Sequence, residues 1–534
     1  MRAALLLGKD LWVPRWQYEA LEVAIKSGLV VSLTAHCQND MRSKLRIRHS
    51  LYYLVAWLGR RNMSALRRMD LKNLIPDSTC SIRFNSVWSG IWQEIPAEAA
   101  VELSEVDVVI RFGMNLIKNP ESVEARLGIL SYHHGEISRF RGRPSGFYEL
   151  LSKENVMGVT VQELNDKLDA GKVRASAFSR IIPFSYAKTL NLAFKSGVPL
   201  LARALYQSEA APSKASEALG PLTFLPKNRK MIKFIYLIFR ARVARIFYGL
   251  FIYKKWRVAH LSKSLNFSGD ICLDADDLSA LPVPNNWVFV ADPAGQFDGS
   301  LLCEGVVKGN NNGQIVRFKN GSWSVLEFGL KGVHASYPQI VRDDDETYLF
   351  PEIAQGYSPT LFSLDSDFGV SEKMRLEGLE KHRLVDATLF KHDNAWFLFG
   401  SLRESAQDQL DLWTAPNIFG PWTLHSESPI AIDPRGSRMG GPIVVRDGSL
   451  YRFGQDCAER YGGALSIYEI TELSGKRYAE KYVGKITIGG LCGPHTLLLA
   501  EPGGAYIDYY SEVFSLLAWW YRVPQQIKNR LKRG

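Results

Sequence analysis

The chain has 534 residues, a formal net charge of +10 and 46% hydrophobic residues; that is enough for about two to four domains, and it excludes wholesale disorder. The basic excess clusters at Arg42–Arg48, Lys227–Arg257 and Lys528–Arg533, with no zinc-finger spacing, recognition-helix signature or RNA-stacking motif, so no nucleic-acid partner is expected. The six cysteines, Cys37, Cys80, Cys272, Cys303, Cys457 and Cys492, form no CxxC pair, so no metal site is expected and the thiols fit a reducing, cytoplasmic setting.

The first stretch, residues 1–205, alternates strand-like and helical runs. "AALLLG", "LVVSLTA" and "VDVVIRFG" (106–113) have the apolar, β-branched character of buried parallel strands. The opening run is too short for a signal-peptide core and reads as a first strand. Between the first two strands, "PRWQYEALEVAIKSG" reads as a helix, with Pro14 near its start and Gly28 after its end. This alternation predicts a doubly wound α/β domain.

Residues 206–225 are rich in Ala, Ser and Pro and read as the start of a linker that extends to 284. Within it, "MIKFIYLIFRARVARIFYGLFI" (231–252) has the length of a membrane span. Arg240, Arg242 and Arg245 in its middle argue against one, because each central charge costs about 2.5–3.5 kcal/mol on insertion scales. Two readings stay open, an interfacial helix and a connecting helix packed between domains.

From 285 to 510 the texture changes to short strands, turns and many aromatics. "YPQIVRDDDETYLFPE", "DATLFKHDNAWFLFGS", "GPIVVRDGSLYRFGQD" and "GPHTLLLAEPGGAYID" begin at Tyr337, Asp386, Gly441 and Gly493. Each is an apolar strand, an acidic or Gly-rich turn and an aromatic strand, the signature of a hairpin. A period of about 50 residues predicts an all-β five-bladed propeller. The tail 511–534 joins Trp519, Trp520 and Tyr521 to a basic end, which suits either a docked terminal helix or a membrane interface.

The stretch "LSYHHGEISRFRG" (130–142) is followed by "MGVTV" and "KLDAGKV". As an ordered set these resemble the catalytic core of the folate-dependent formyltransferases, the group that includes methionyl-tRNA and sugar N-formyltransferases. The resemblance implies a Rossmann-like fold and 10-formyltetrahydrofolate as formyl donor. It also implies His133 as acid/base, Asp169 as its orienting carboxylate, and Ser131 as oxyanion donor at a position where that family carries Asn. An oxyanion donor of this kind is worth about 10²–10³ in rate. His134, Glu136, Arg141 and Arg143 are candidate substrate contacts, the arginines for an anionic acceptor; arginines of this kind also pair with local acids.

The second half, through "HASYPQIVRDDDETYLFPE", "VDATLFKHDNAWFLFG", "DPRGSRMGG" and "YRFGQDCAERYGGAL", resembles a domain found at the N-terminal side of plant glucosamine inositolphosphorylceramide transferases, and more distantly the five-bladed glycoside hydrolases. Polar residues at strand ends are its site candidates: His334, Glu352, Asp386, Arg438, Gln455, Asp456, Arg460 and His495. Glu352 and Asp386 would serve as the two carboxylates of glycoside chemistry; Asp386 and Asp456 could equally cap turns.

The resulting expectation is a formyl- or related acyl-transferase acting on an amino sugar of a nucleotide- or lipid-linked glycan. The propeller would bind the glycan, and basic stretches would hold the protein peripherally on the inner, anionic membrane face. Its alternatives are glycosidase or glycosyl-transfer activity in the propeller behind a non-catalytic front domain, and a glycan-binding scaffold.

Overall fold

The computed structural model describes residues 1–39, 45–210, 219–308, 312–329, 332–353, 358–365, 368–500 and 503–519. The chain divides into two compact units, Met1–Val243 and Ala244–Gly534.

The first unit is built on a seven-stranded sheet. Five parallel strands, Cys80–Phe84, Val30–Cys37, Arg2–Leu7, Val108–Arg111 and Ile129–His133, lie side by side in that order; Val156–Glu163 adds antiparallel to the last, and Lys172–Arg180 antiparallel to Val156–Glu163. The first strand is central because Ala3–Leu7 are buried on both faces. On one face Ala4, Leu6, Leu33, Ala35, Val109 and Ile129 meet Ala99, Ala100 and Leu103 of the helix Ala97–Ser104. The helix Arg15–Lys26 buries Trp16, Ala20, Leu21 and Ala24 at helical spacing. Strand order reverses between Arg2–Leu7 and Val108–Arg111, the place where open α/β sheets form their ligand crevice. Gly113 marks that point, since a Cβ there would fall 2.2 Å from the Gly8 amide nitrogen.

Among its described residues the second unit contains five sheets, antiparallel but for one edge pair. Three are four-stranded: Trp287–Phe297 to Ser322–Val325, Ser336–Asp343 to Val370–Arg375, and Leu384–His392 to Thr423–Leu424. The fourth runs from Arg438–Met439 to Tyr478–Ile488 and gains Ile271–Leu273 at its edge. In the fifth, Leu497–Leu499 and Ala505–Phe514 from late in the unit are completed by Ile252–Leu261 and Leu278–Ala280 from its beginning. The pairing of Ile252–Leu261 with Ala505–Phe514 runs over ten residues. It brings much of the expected linker, and residues 511–514 of the expected tail, into one unit with the sheets between them.

Each sheet touches the next, and the fifth touches the first. Gln339 of the second sheet exchanges hydrogen bonds with the Leu389 backbone of the third. Leu497 N of the fifth donates to Gly440 O of the fourth, and Asp292 N of the first donates to Asp508 Oδ2 of the fifth at 2.9 Å. Five sheets in cyclic contact agree in number with the expected blades.

All five innermost strands are interrupted at the same place. Pairing shifts register at Ala291/Gly295, Ser336/Gln339 and Val385/Thr388. It breaks between Met439 and Val444, and again between the Cys492–Tyr510 bridge and Leu497. A residue with positive φ sits in each interruption: Asp292, Tyr337, Asp386, Gly441 and Gly493. Pro follows it in four cases and Ala387 in one. Such bulges bend a strand and re-aim its side chains.

Candidate functional site

In the first unit His133 ends its strand and is 6% exposed. Its Nδ1 lies 3.4 Å from Asp169 Oδ1, and its Nε2 lies 3.0 Å from the Phe140 carbonyl. Both nitrogens face acceptors, an arrangement that suits the imidazolium. Burial opposes that charge, but the Asp169 hydrogen bond and charge outweigh it and hold the imidazole above its ordinary value. Burial likewise opposes the Asp169 carboxylate, and His133 with the Gly142 amide (2.9 Å) brings it below its ordinary value. Asp169 itself has φ 44°.

Ser131 Oγ accepts from Arg111 Nη1 at 2.8 Å, which leaves its O–H as the donor. Arg111, at the end of its own parallel strand, is a residue that the sequence reading passed over. A second is Glu149, buried on the helix Phe147–Leu151 and pushed by desolvation up to about 7.

The expected substrate contacts are placed mainly in structural roles. The His134 ring packs 5.0 Å from Trp16 and 4.6 Å from Phe194, and burial lowers its pKa to about 3. Glu136 accepts from Ser138 and faces Arg139. Arg141 donates to the carbonyls of Leu168 and Asp169, which fixes the loop carrying the carboxylate. Arg143 is exposed and precedes a cis proline.

In the second unit the interrupted strands converge on a buried polar cluster. Asp386, 2% exposed, takes hydrogen bonds on Oδ2 from Arg438 Nε at 2.5 Å and Gln455 Nε2 at 2.7 Å. Its amide donates to Glu352 Oε2 at 2.9 Å, which sets the two carboxyl groups side by side. Desolvation first, then the Asp386 charge, pushes Glu352 up to about 8, so at neutral pH the pair holds one proton. Glu304 is raised by burial and by the neighbouring Asp292 and Glu352. His334 Nε2 lies 3.7 Å from Glu304, its Nδ1 accepts from Gly313 N, and burial lowers its pKa.

His495 Nδ1 sits between Asp292 Oδ1 at 3.0 Å and Asp508 Oδ2 at 3.1 Å, and its Nε2 meets Tyr461 OH at 2.7 Å. Burial opposes its charge, yet Tyr461, Asp508 and Asp292 together raise it well above the ordinary histidine value. Tyr461 in turn lies under the Arg438 guanidinium, 5.0 Å from the ring centroid. Among the described residues, Asp292, His495 and Asp508 are a set whose ligand atoms fall within 4.8 Å of one another. The three side chains are held together as a buried ion triad. The sequence reading, which expected no metal site, did not anticipate this set.

The structure therefore brings together His334, Glu352, Asp386, Arg438, Gln455 and His495. It leaves two candidates elsewhere. Asp456 caps its own turn through Ala458 N and pairs with Lys485, and Arg460 is exposed beside Glu459, Glu512 and Cys492. Sequence reasoning missed Asp292, Glu304, Tyr461 and Asp508. A signal for Asp292 was available: "DP" at 292–293 repeats the "YP", "GP" and "GP" at 337, 441 and 493.

Residues 306–488 match the family model described as glucosamine inositolphosphorylceramide transferase 1, N-terminal. The chain is 30% identical over 218 residues to glucosamine inositolphosphorylceramide transferase 1 of Oryza sativa subsp. japonica, covering 37% of this chain and 28% of that protein. With the Arabidopsis thaliana protein of the same name it shares 33% identity over 169 residues, 30% of this chain and 22% of that one. The chain thus spans less than a third of the length of these relatives. Among solved structures it is similar to the catalytic domain of Coprinopsis cinerea GH62 α-L-arabinofuranosidase (TM-score 0.34, 11% identity, 46% of this chain and 98% of that one). It is also similar to phosphoribosylglycinamide formyltransferase from Anaplasma phagocytophilum (TM-score 0.28, 17% identity, 42% and 99%).

Proposed function

We propose that the second unit is a five-bladed propeller that recognises an amino-sugar-bearing, lipid- or nucleotide-linked glycan, and that the protein serves sugar transfer in glycan biosynthesis. The observation that carries this reading is the polar cluster itself. Three buried aspartates, Asp292, Asp386 and Asp508, stand against one arginine and one imidazolium, which leaves an excess of acid for a protonated amine. Arg438, Tyr461, Glu352 and His334 are the members that keep some exposure, and they supply the donors and the aromatic face that sugar hydroxyls and ring carbons need. The plant relatives, which carry glucosamine and a lipid in their name, support the substrate class. Titration calorimetry with amino-sugar glycans tests the reading: binding that is lost in Arg438→Gln and Asp386→Asn supports it, and no binding by the wild type refutes it.

Formyl or acyl transfer in the first unit is the second reading, favoured by the His133–Asp169 pair. His133 Nε2 faces the Phe140 carbonyl, and the Ser131 hydroxyl accepts from Arg111 and so keeps its own O–H as a donor. Turnover of formyltetrahydrofolate with an amino-sugar nucleotide, abolished in His133→Asn, would establish this reading; no turnover would remove it.

A further inference from the structure

The helix Asn228–Phe251 is continuous over 24 residues. Met231 and Phe234 are buried, and Phe234 packs 4.5 Å from Phe147 and 5.4 Å from Tyr186. The other side is apolar and uncovered. Ile232, Tyr236, Phe239, Val243, Ile246 and Leu250 follow one another at alternating steps of four and three, and all are 42–63% exposed. At about 100° per residue they fall in one arc of roughly 80°.

The charges on this helix are arranged around that arc. The segment has six Lys or Arg residues, Arg229, Lys230, Lys233, Arg240, Arg242 and Arg245, and no Asp or Glu. On the same wheel Arg229, Arg240 and Lys233 flank the apolar arc on one side and Arg242 on the other. No helix among the described residues is long and apolar enough to cross a membrane. Past the helix, Phe251 and Phe514 stack with centroids 5.9 Å apart, and Leu516, Leu517 and Trp519 are exposed.

We infer that this helix lies in the plane of an anionic lipid surface, with its apolar arc in the acyl boundary and its basic flanks among the headgroups. An apolar stripe between basic flanks is the form of an interfacial helix, and long Lys and Arg side chains reach the headgroups while their stems cover apolar surface. Charge selects this occupant over two others. The chain's own end, residues 520–534, carries Arg522, Lys528, Arg530, Lys532 and Arg533 and no acid, so it is repelled by the helix. A second copy would set six cations against six. Anionic lipid attracts both segments.

The test is flotation of the full chain with phosphatidylcholine vesicles that contain phosphatidylserine, with pure phosphatidylcholine alongside. The chain floats with the anionic vesicles, and Phe239→Glu with Ile246→Glu stays at the bottom with unchanged circular dichroism and melting, since both side chains are exposed. Lys233→Gln with Arg240→Gln weakens partition about thirtyfold, from about 1 kcal/mol per surface-bound cation. A wild type that stays down at low salt, or a double glutamate variant that still floats, overturns the inference. So does a dimer in light scattering that the glutamates dissolve, because a second copy would then be the occupant.

Discussion

Replacing Glu352 with Gln should stabilise the second unit at neutral pH. Glu352 is raised from 4.5 to about 8 by desolvation and by Asp386. In the unfolded chain the carboxyl ionises near its ordinary value, so between that value and about 8 the unfolded state is favoured by proton release that the fold does not permit. Each pH unit is worth about 1.4 kcal/mol, which makes the penalty at pH 7 about 3 kcal/mol. A raised pKa of this sign leaves stability intact below the unfolded value and erodes it as pH rises toward the folded one. Gln removes the titration and keeps the geometry. Its carbonyl accepts from Asp386 N as Glu352 Oε2 does, and its amide carries no charge to oppose Asp386. Urea denaturation of both proteins between pH 4 and 8 is the assay. The curves should meet near pH 4 and separate by about 3 kcal/mol at pH 7. A Gln variant less stable than wild type at pH 7, or an unchanged pH slope, would refute the protonated pair.

Asp169→Asn should cost the first unit about 2–3 kcal/mol, since it leaves the buried His133 without its counter-charge. His133 is raised and Asp169 lowered, so the loss is full between the two ordinary values. It shrinks as pH rises through the folded His133 value and as pH falls through the folded Asp169 value; thermal melting across pH measures it, and a pH-independent gap would contradict the pair. Gly441→Ala should cost about 2–4 kcal/mol, because φ is 140° and the new Cβ would lie 2.1 Å from Leu497 O. Gly448→Ala, where nothing lies within 4 Å but φ is +79°, should cost only about 1 kcal/mol. Equal melting shifts for the two would remove the claim that Gly441 is fixed by close approach.

Local pattern made much of this fold readable. The four hairpins expected at Tyr337, Asp386, Gly441 and Gly493 coincide with the strand pairs Ser336–Asp343/Glu346–Glu352, Leu384–His392/Ala395–Leu402, Val444–Arg446/Ser449–Gln455 and Leu497–Leu499/Ala505–Phe514. The parallel strands and the helix Arg15–Lys26 were equally plain, because burial on both faces or on one stripe writes itself into periodicity. What escaped was long-range. Ile252–Leu261 follows a basic helix and reads as linker until its partner, some 250 residues on, is known. Asp508 and Asp292 gain meaning only from His495 between them, and Arg111 from Ser131 on the neighbouring strand. His134 attracted notice as one of two adjacent histidines, but alternation along the strand end turns it to the opposite face from His133, among aromatics.

Calorimetric titration of the protein with a glucosamine-bearing inositol phosphate glycan and with its N-acetylated counterpart tests the central claim most directly. The acid excess of the Asp292, Asp386 and Asp508 cluster predicts that the free amine binds at least about tenfold more tightly, a difference of about 1.4 kcal/mol, and that Asp386→Asn removes the preference. Equal affinity for the two glycans, or binding to neither, would contradict it.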